Sequence, residues 1–186
     1  MATTSTYTTQ NSLLLQKLIA FYKENNYLDV ILPIINGEGK MSLRLIDWFV
    51  TNYAKKNFIV YHIKCGARRR RFKVYTDYKL KLKAYSKKRF DPFCRWERIT
   101  IPYDDDNYIQ TTIGQLNFLK WVLENEILTY LEENFETIEK DMNRRNSTSK
   151  RKEKSNKKTR KKREELSISA SKSIKKEKVE IVVKFN

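Results

Sequence analysis

Apolar side chains recurring at steps of three and four residues predict helices in three stretches of this chain. The first follows Ser12, a candidate N-cap, where LLLQKLIAFYKENN sets Leu14, Leu15, Leu18, Ile19 and Phe21 or Tyr22 on one face. The second opens at Ser42, and SLRLIDWFVTNYAKKN aligns Leu45, Ile46, Phe49, Val50 and Tyr53. Two lysines in its last turn suit the negative end of the helix dipole, and Asn57 ends it. The third begins at Thr112, whose pairing with Gln115 matches a capping box. From there Ile113, Leu116, Leu119, Val122, Leu123, Ile127, Leu131, Phe135 and Ile138 repeat to about Met142, as one long helix or two in succession, acidic outside.

Between these, two-residue alternation and β-branched runs predict strands. Leu28–Ile35, closed by NGEG, reads as a short buried strand or a core-lining loop bent at Pro33. FIVYHIK (58–64) alternates, and Cys65-Gly66 turns it into RFKVYTD (71–77) as a hairpin, which puts Arg68 to Arg71 at its tip. In YKLKLKAYSKKRF (78–90), Leu80, Leu82 and Ala84 alternate with lysines, which favours a strand although no residue forbids a helix. Asp91-Pro92 breaks the chain, WERITIPY (96–103) is a further strand, and DDDNYIQ a polar loop. The predicted class is α+β, with amphipathic helices packed on a small, mainly antiparallel sheet. Its single domain spans residues 12–143, a size one core of 186 residues readily supplies. Residues 1–11 are polar and unpatterned, a flexible N-terminus. Residues 144–178 hold four apolar side chains, Leu166, Ile168, Ala170 and Ile174, too few to offset ordering entropy. Residues 144–186 are therefore expected to form a disordered basic tail, closing VEIVVKF included.

Charge changes this picture from a generic fold to a binding protein. The net charge is +17, distributed as +3 over residues 1–65, +10 over 66–98, −8 over 99–143 and +12 over 144–186. Such an excess favours polyanionic partners. From Gly66 to Ile99, thirteen Lys or Arg face three acids, with Phe72, Tyr75, Tyr78, Tyr85, Phe90, Phe93 and Trp96 between them. Cations release counterions from phosphates, and aromatic faces can stack on unpaired bases. Arg68, Arg69, Arg70 and Arg71 cannot all pair internally, and their forked donors match phosphates two at a time. With Lys73, Lys79, Lys81, Lys83, Lys87, Lys88 and Arg89 they make the candidate nucleic-acid-binding set. No base-reading motif accompanies them, so contact with the backbone of DNA or RNA is expected. Phe90, Phe93 and Trp96, spaced around a proline, are better placed to pack a turn onto the core than to stack on bases.

Other chemistries find less support. His62, Cys65 and Cys94 are the soft metal ligands present, and a structural zinc site would lack its fourth. Neither cysteine shows the surroundings of a nucleophile, and two cysteines with no opening apolar segment fit a reducing intracellular setting. Asp104 to Asp106 could hold a divalent cation in a nuclease, but no second acidic cluster completes a two-metal site. Phosphate loops are absent among four glycines, and no apolar run reaches a membrane span. No cofactor, metal or membrane partner is expected. The tail run KRKEKSNKKTRKKR (150–163) can be a nucleic-acid arm, a nuclear import signal or a solubilising segment.

Residues 42–57, 78–99 and 111–143 carry the words NYAKKN, LKAYSKKRFDPFCRWERI, TTIGQLNFLKW and DMN. As a set these resemble a family of small uncharacterised proteins of giant, nucleocytoplasmic large DNA viruses. The resemblance implies a viral protein made in the host cytoplasm and packaged in the particle, and transfers no activity to particular residues. The basic tail lies outside it. The resulting expectation is a non-enzymatic, sequence-independent nucleic-acid-binding accessory or virion protein. One alternative is a structural protein that assembles with its own copies or other virion proteins through basic-to-acidic contacts; another is a metal-dependent nuclease.

Overall fold

The computed structural model describes residues 9–66, 68–95, 97–104 and 107–155. Thr9, rather than Ser12, caps the first helix: its Oγ1 accepts the Ser12 N–H at 3.2 Å, so α1 (Gln10–Glu24) starts earlier than its apolar pattern. Leu18 and Tyr22 are the buried residues of α1, and the Tyr22 hydroxyl donates to the Leu116 carbonyl at 2.6 Å. Burial, with the charge of Glu124 adding, pushes that phenol far above its ordinary pKa, so it remains a donor.

The run expected as a strand or bent loop is a helix, α2 (Leu28–Asn36). Ile31, Ile34 and Ile35 are buried at helical spacing, and their joint burial outweighs β-branched propensity and the N–H that Pro33 lacks. Gly37, at φ 71°, closes it as a left-handed cap.

Ser42 caps α3 (Leu43–Trp48), its Oγ accepting the Leu45 N–H at 3.2 Å. A π-helical segment (Phe49–Tyr53) follows, then a last turn, α4 (Ala54–Lys56). This wider coil buries Phe49 and Val50 together and still ends at Asn57.

β1 (Val60–Cys65) and β2 (Arg68–Lys73) form the expected antiparallel hairpin, but its turn is tighter than predicted. The four arginines are therefore strand residues of β2 rather than its tip. The chain then enters α5 (Val74–Phe90) directly, which corrects the strand expected over residues 78–90. The Leu80, Leu82, Ala84 alternation is incidental, since Leu80 is 61% exposed. Burial follows Val74, Tyr78, Leu82 and Tyr85 at three- and four-residue steps, a helical period carried largely by tyrosines. Ser86, at φ 66°, interrupts the helix before its final turn.

The second hairpin pairs β3 (Arg98–Asp104) with β4 (Asn107–Thr112). β4 takes residues expected in a polar loop, because Ile109 and Thr111 alternate inward and Ile101 pairs with Ile109. The long third helix is broken into α6 (Ile113–Glu124), α7 (Ile127–Glu133) and α8 (Phe135–Ser155). Glu126, at φ 54°, makes the first break. Half of the capping box forms: Thr112 Oγ1 accepts the Gln115 N–H at 3.1 Å, while Gln115 Oε1 accepts from Thr111 Oγ1 at 2.9 Å. Helix α8 continues to Ser155, into the stretch read as a disordered tail. Its Arg145 lies over the Trp48 ring at 5.6 Å and contacts Asp141 at 3.0 Å. The expectations for residues 1–8 and 156–186 lie outside the described residues.

The class is α+β, with helices predominating and, among the described residues, the strands divided between two antiparallel two-stranded sheets instead of one. The core centres on Tyr78, Phe90, Phe118 and Trp121, where α5 meets α6. Among the described residues no helix is long and apolar enough to cross a membrane.

Candidate nucleic-acid interface

Alternation along the first hairpin divides its cations between two faces. Tyr61, Ile63 and Phe72 turn toward the core, with Phe72 only 1% exposed. Arg70 shares that side: its guanidinium lies 5.9 Å from the Phe72 ring and Nη2 donates to Asn125 Oδ1 at 3.4 Å. The Tyr61 hydroxyl donates to the Asn125 carbonyl at 2.8 Å, and the Lys64 N–H reaches Glu126 Oε1 at 3.5 Å. The hairpin is thus seated on the corner between α6 and α7. Burial first, then the Glu126 charge, raises the Tyr61 pKa and keeps that hydroxyl a donor. Arg70 thus has partners at the seat of the hairpin while its side chain remains exposed.

The opposite face is different. Its members are Val60, His62 and Lys64 on β1 and Arg69, Arg71 and Lys73 on β2, and the register sets Lys64 opposite Arg69, His62 opposite Arg71 and Val60 opposite Lys73. All six are exposed. Like charges directly across a strand pair are destabilising, so folding alone gives no reason for the Lys64–Arg69 pair. The positive face does protect strand edges from pairing with other chains, but alternating signs would do that as well.

The remaining predicted residues are distributed unevenly. Arg68 is exposed at the start of β2. Lys79 and Lys83 stand on the exposed side of α5 beside Leu80 and Ala84, whereas Lys81 is half-buried. Lys87 and Lys88 are exposed beyond the Ser86 break. Arg89 is held by α1, its Nε donating to Asn11 Oδ1 at 2.8 Å and its Nη1 to Gln10 Oε1 at 3.1 Å. The set thus brings together Arg69, Arg71 and Lys73, adds Lys79 and Lys83 along α5, and gives the exposed Arg70 and the half-buried Arg89 partners within the fold.

The aromatics of the basic stretch are core. Phe72, Tyr78 and Phe90 are buried, and Tyr75, Tyr85 and Phe93 pack partly buried against them; Trp96 lies outside the described residues. Phe58, which the sequence reading placed unremarked at the start of a strand, is instead 85% exposed. His62 and Lys64 were missed as well, and the alternation of FIVYHIK, which puts them opposite the inward Tyr61 and Ile63, was the available signal. Among the described residues no group of three His, Cys, Asp or Glu could hold a metal ion. Asp105 and Asp106, the heart of the nuclease alternative, lie outside those residues.

These features define a basic α+β protein with a one-signed hairpin face. The chain belongs to the Family of unknown function (DUF7197), which matches residues 2–185. It is 45% identical over 139 residues to Uncharacterized protein L507 of Acanthamoeba polyphaga mimivirus, an alignment covering 72% of this chain and 53% of that protein. The chain spans about half the length of that curated relative. No solved structure matches the chain significantly. The family is one of uncharacterised giant-virus proteins, as the resemblance in residues 42–57, 78–99 and 111–143 implied.

Proposed function

We propose that this viral protein is a non-enzymatic nucleic-acid-binding accessory or virion protein that holds phosphates without reading sequence, on the outer face of β1–β2 and the cations that follow along α5. The observation that supports this reading is the like-charge pair of Lys64 opposite Arg69, with Arg71 and Lys73 continuing the cation row along β2. A polyanion converts that repulsion into attraction, and each phosphate neutralised releases counterions. Arginine forks favour phosphate oxygens in pairs, and no base-reading motif accompanies the basic stretch in the sequence. Action in the host cytoplasm or in the particle is part of the same proposal.

The test is binding of the full chain to duplex DNA, single-stranded DNA and RNA over a salt series. Replacing Arg69, Arg71 and Lys73 by alanine is expected to reduce the logarithmic salt slope by about two to three units, because each phosphate contact contributes about 0.7 to 0.9. An unchanged slope would move nucleic-acid binding to the basic C-terminal residues. Salt-sensitive self-association without nucleic acid would favour the assembly reading, in which the basic face meets exposed acids such as Glu132, Glu133 and Glu136 of another copy.

A further inference from the structure

We infer that the occupant of the basic face is single-stranded nucleic acid, with one unpaired base stacked on Phe58; this rests on the phosphate-binding reading above and deepens it. The large hydrophobic side chains exposed among the described residues are Leu13, Val30, Phe58, Val60 and Leu80, and Phe58 is the aromatic one. Its position is not accidental slack. Asn57 N–H bonds to the Tyr53 carbonyl at 3.0 Å, Ile59 N–H to the Ala54 carbonyl at 3.2 Å and Val74 N–H to the Ile59 carbonyl at 3.3 Å. The backbone is therefore fixed on both sides of Phe58, which sits at φ 49° just past the end of α4. Helices commonly stop with a left-handed residue there, and glycine or asparagine serves with least strain. A phenylalanine adds strain at that φ and exposes an apolar ring, and neither helps the helix end.

The surroundings explain the ring if it has a partner. Val60, two residues on, is 36% exposed and pairs with Lys73 at the start of the cation row Lys73, Arg71, Arg69. Lys55 and Lys56, which precede Phe58 in the chain, are exposed as well, with Lys55 5.6 Å from the Tyr75 ring and Lys56 4.0 Å from Asp141. An apolar platform next to a row of cations is complementary to a chain of phosphates bearing exposed aromatic bases. In a duplex those base faces are hidden by stacking and reaching one costs the unstacking of a base step, so an unpaired nucleotide meets the ring at least cost. Because the backbone beneath the ring is already fixed, binding has only the side-chain rotamers of Phe58 left to order.

The experiment compares the full chain with Phe58→Asn and Phe58→Trp, using an oligothymidine, an abasic oligomer of equal length and a duplex. Asparagine adopts the left-handed backbone readily, so the variant keeps its fold. The native chain is expected to prefer oligothymidine to both other probes. Phe58→Asn should lose about five- to hundred-fold in affinity for oligothymidine, the scale of one base stacked on an aromatic. It should leave abasic binding and the salt slope unchanged, while Phe58→Trp keeps the preference. Equal affinity of Phe58→Asn and the native chain for oligothymidine would overturn the inference, as would equal loss on oligothymidine and abasic oligomer. Failure of the native chain to bind any of the three would instead overturn the phosphate-binding reading beneath it.

Discussion

Phe90→Ala is expected to lower the stability of the protein by about 3–5 kcal/mol. The ring lies within the basic stretch of the sequence yet is 0% exposed. Its centroid is 5.9 Å from those of Tyr78, Tyr85 and Phe118 and 5.7 Å from that of Trp121, several of them edge-to-face or stacked. Truncation removes the transfer free energy of the ring and leaves a cavity whose walls are large, rigid aromatics. Such walls relax poorly. Against a typical stability of about 5–15 kcal/mol, the variant would retain a small margin, visible as an early urea midpoint with an unchanged slope. Phe58→Asn provides the contrast, because an exposed ring at a strained φ should cost nothing measurable in the same titration. A loss below about 1 kcal/mol for Phe90→Ala would mean that the α5–α6 seam is not the core. One stretch of sequence thus contains aromatics whose removal is expected to destabilise the protein, and a neighbouring aromatic whose removal is proposed to affect binding alone.

That separation was only partly legible in the sequence. Elements announced by their own caps were readable: Ser42 and Thr112 accept the backbone N–H groups their spacing predicted. Short or tyrosine-rich elements were not. In α5 the eye follows the alternation of Leu80, Leu82 and Ala84, but burial runs through Val74, Tyr78, Leu82 and Tyr85, and tyrosine carries no clear sign of which way it faces. The apolar run of α2 is too short for its period to distinguish helix from buried strand, and Pro33 argued falsely against a helix. β4 was hidden because four of the six residues of NYIQTT are polar, as in a strand of a partly solvated hairpin. For the candidate site, the sign and density of charge were visible in GARRRRFK. The partition of those arginines was not, since it depends on the register that puts Arg70 with Phe72 and leaves Arg69 and Arg71 outside. Phe58 was missed for a related reason. A left-handed residue after KKN is one helix ending among several, and the sequence reads as smoothly if the strand begins there.

Gly114→Ala tests the same seam from the other side and should destabilise the protein by about 3 kcal/mol, near the upper end for inserting one methyl into a packed contact. On helix propensity alone the change would be favourable, since alanine is better than glycine in a helix by about 1 kcal/mol. Geometry decides the sign. A Cβ at Gly114, in the first turn of α6, would stand 2.9 Å from the Asp91 carbonyl oxygen, 3.2 Å from that of Lys88 and 3.5 Å from the Phe90 nitrogen. All three are backbone atoms, so no side chain can swing aside. The last turn of α5 would have to retreat from α6. That turn is also held by Asn117 Nδ2 donating to the Arg89 carbonyl at 2.9 Å and by the Arg89 guanidinium on Asn11 and Gln10 of α1. Retreat strains contacts among three helices at once. A denaturant titration of Gly114→Ala against the native chain measures the sum. An unchanged or raised midpoint would show that the end of α5 yields freely, and that the break at Ser86 lets its final turn move independently of the basic hairpin at the other end of the helix.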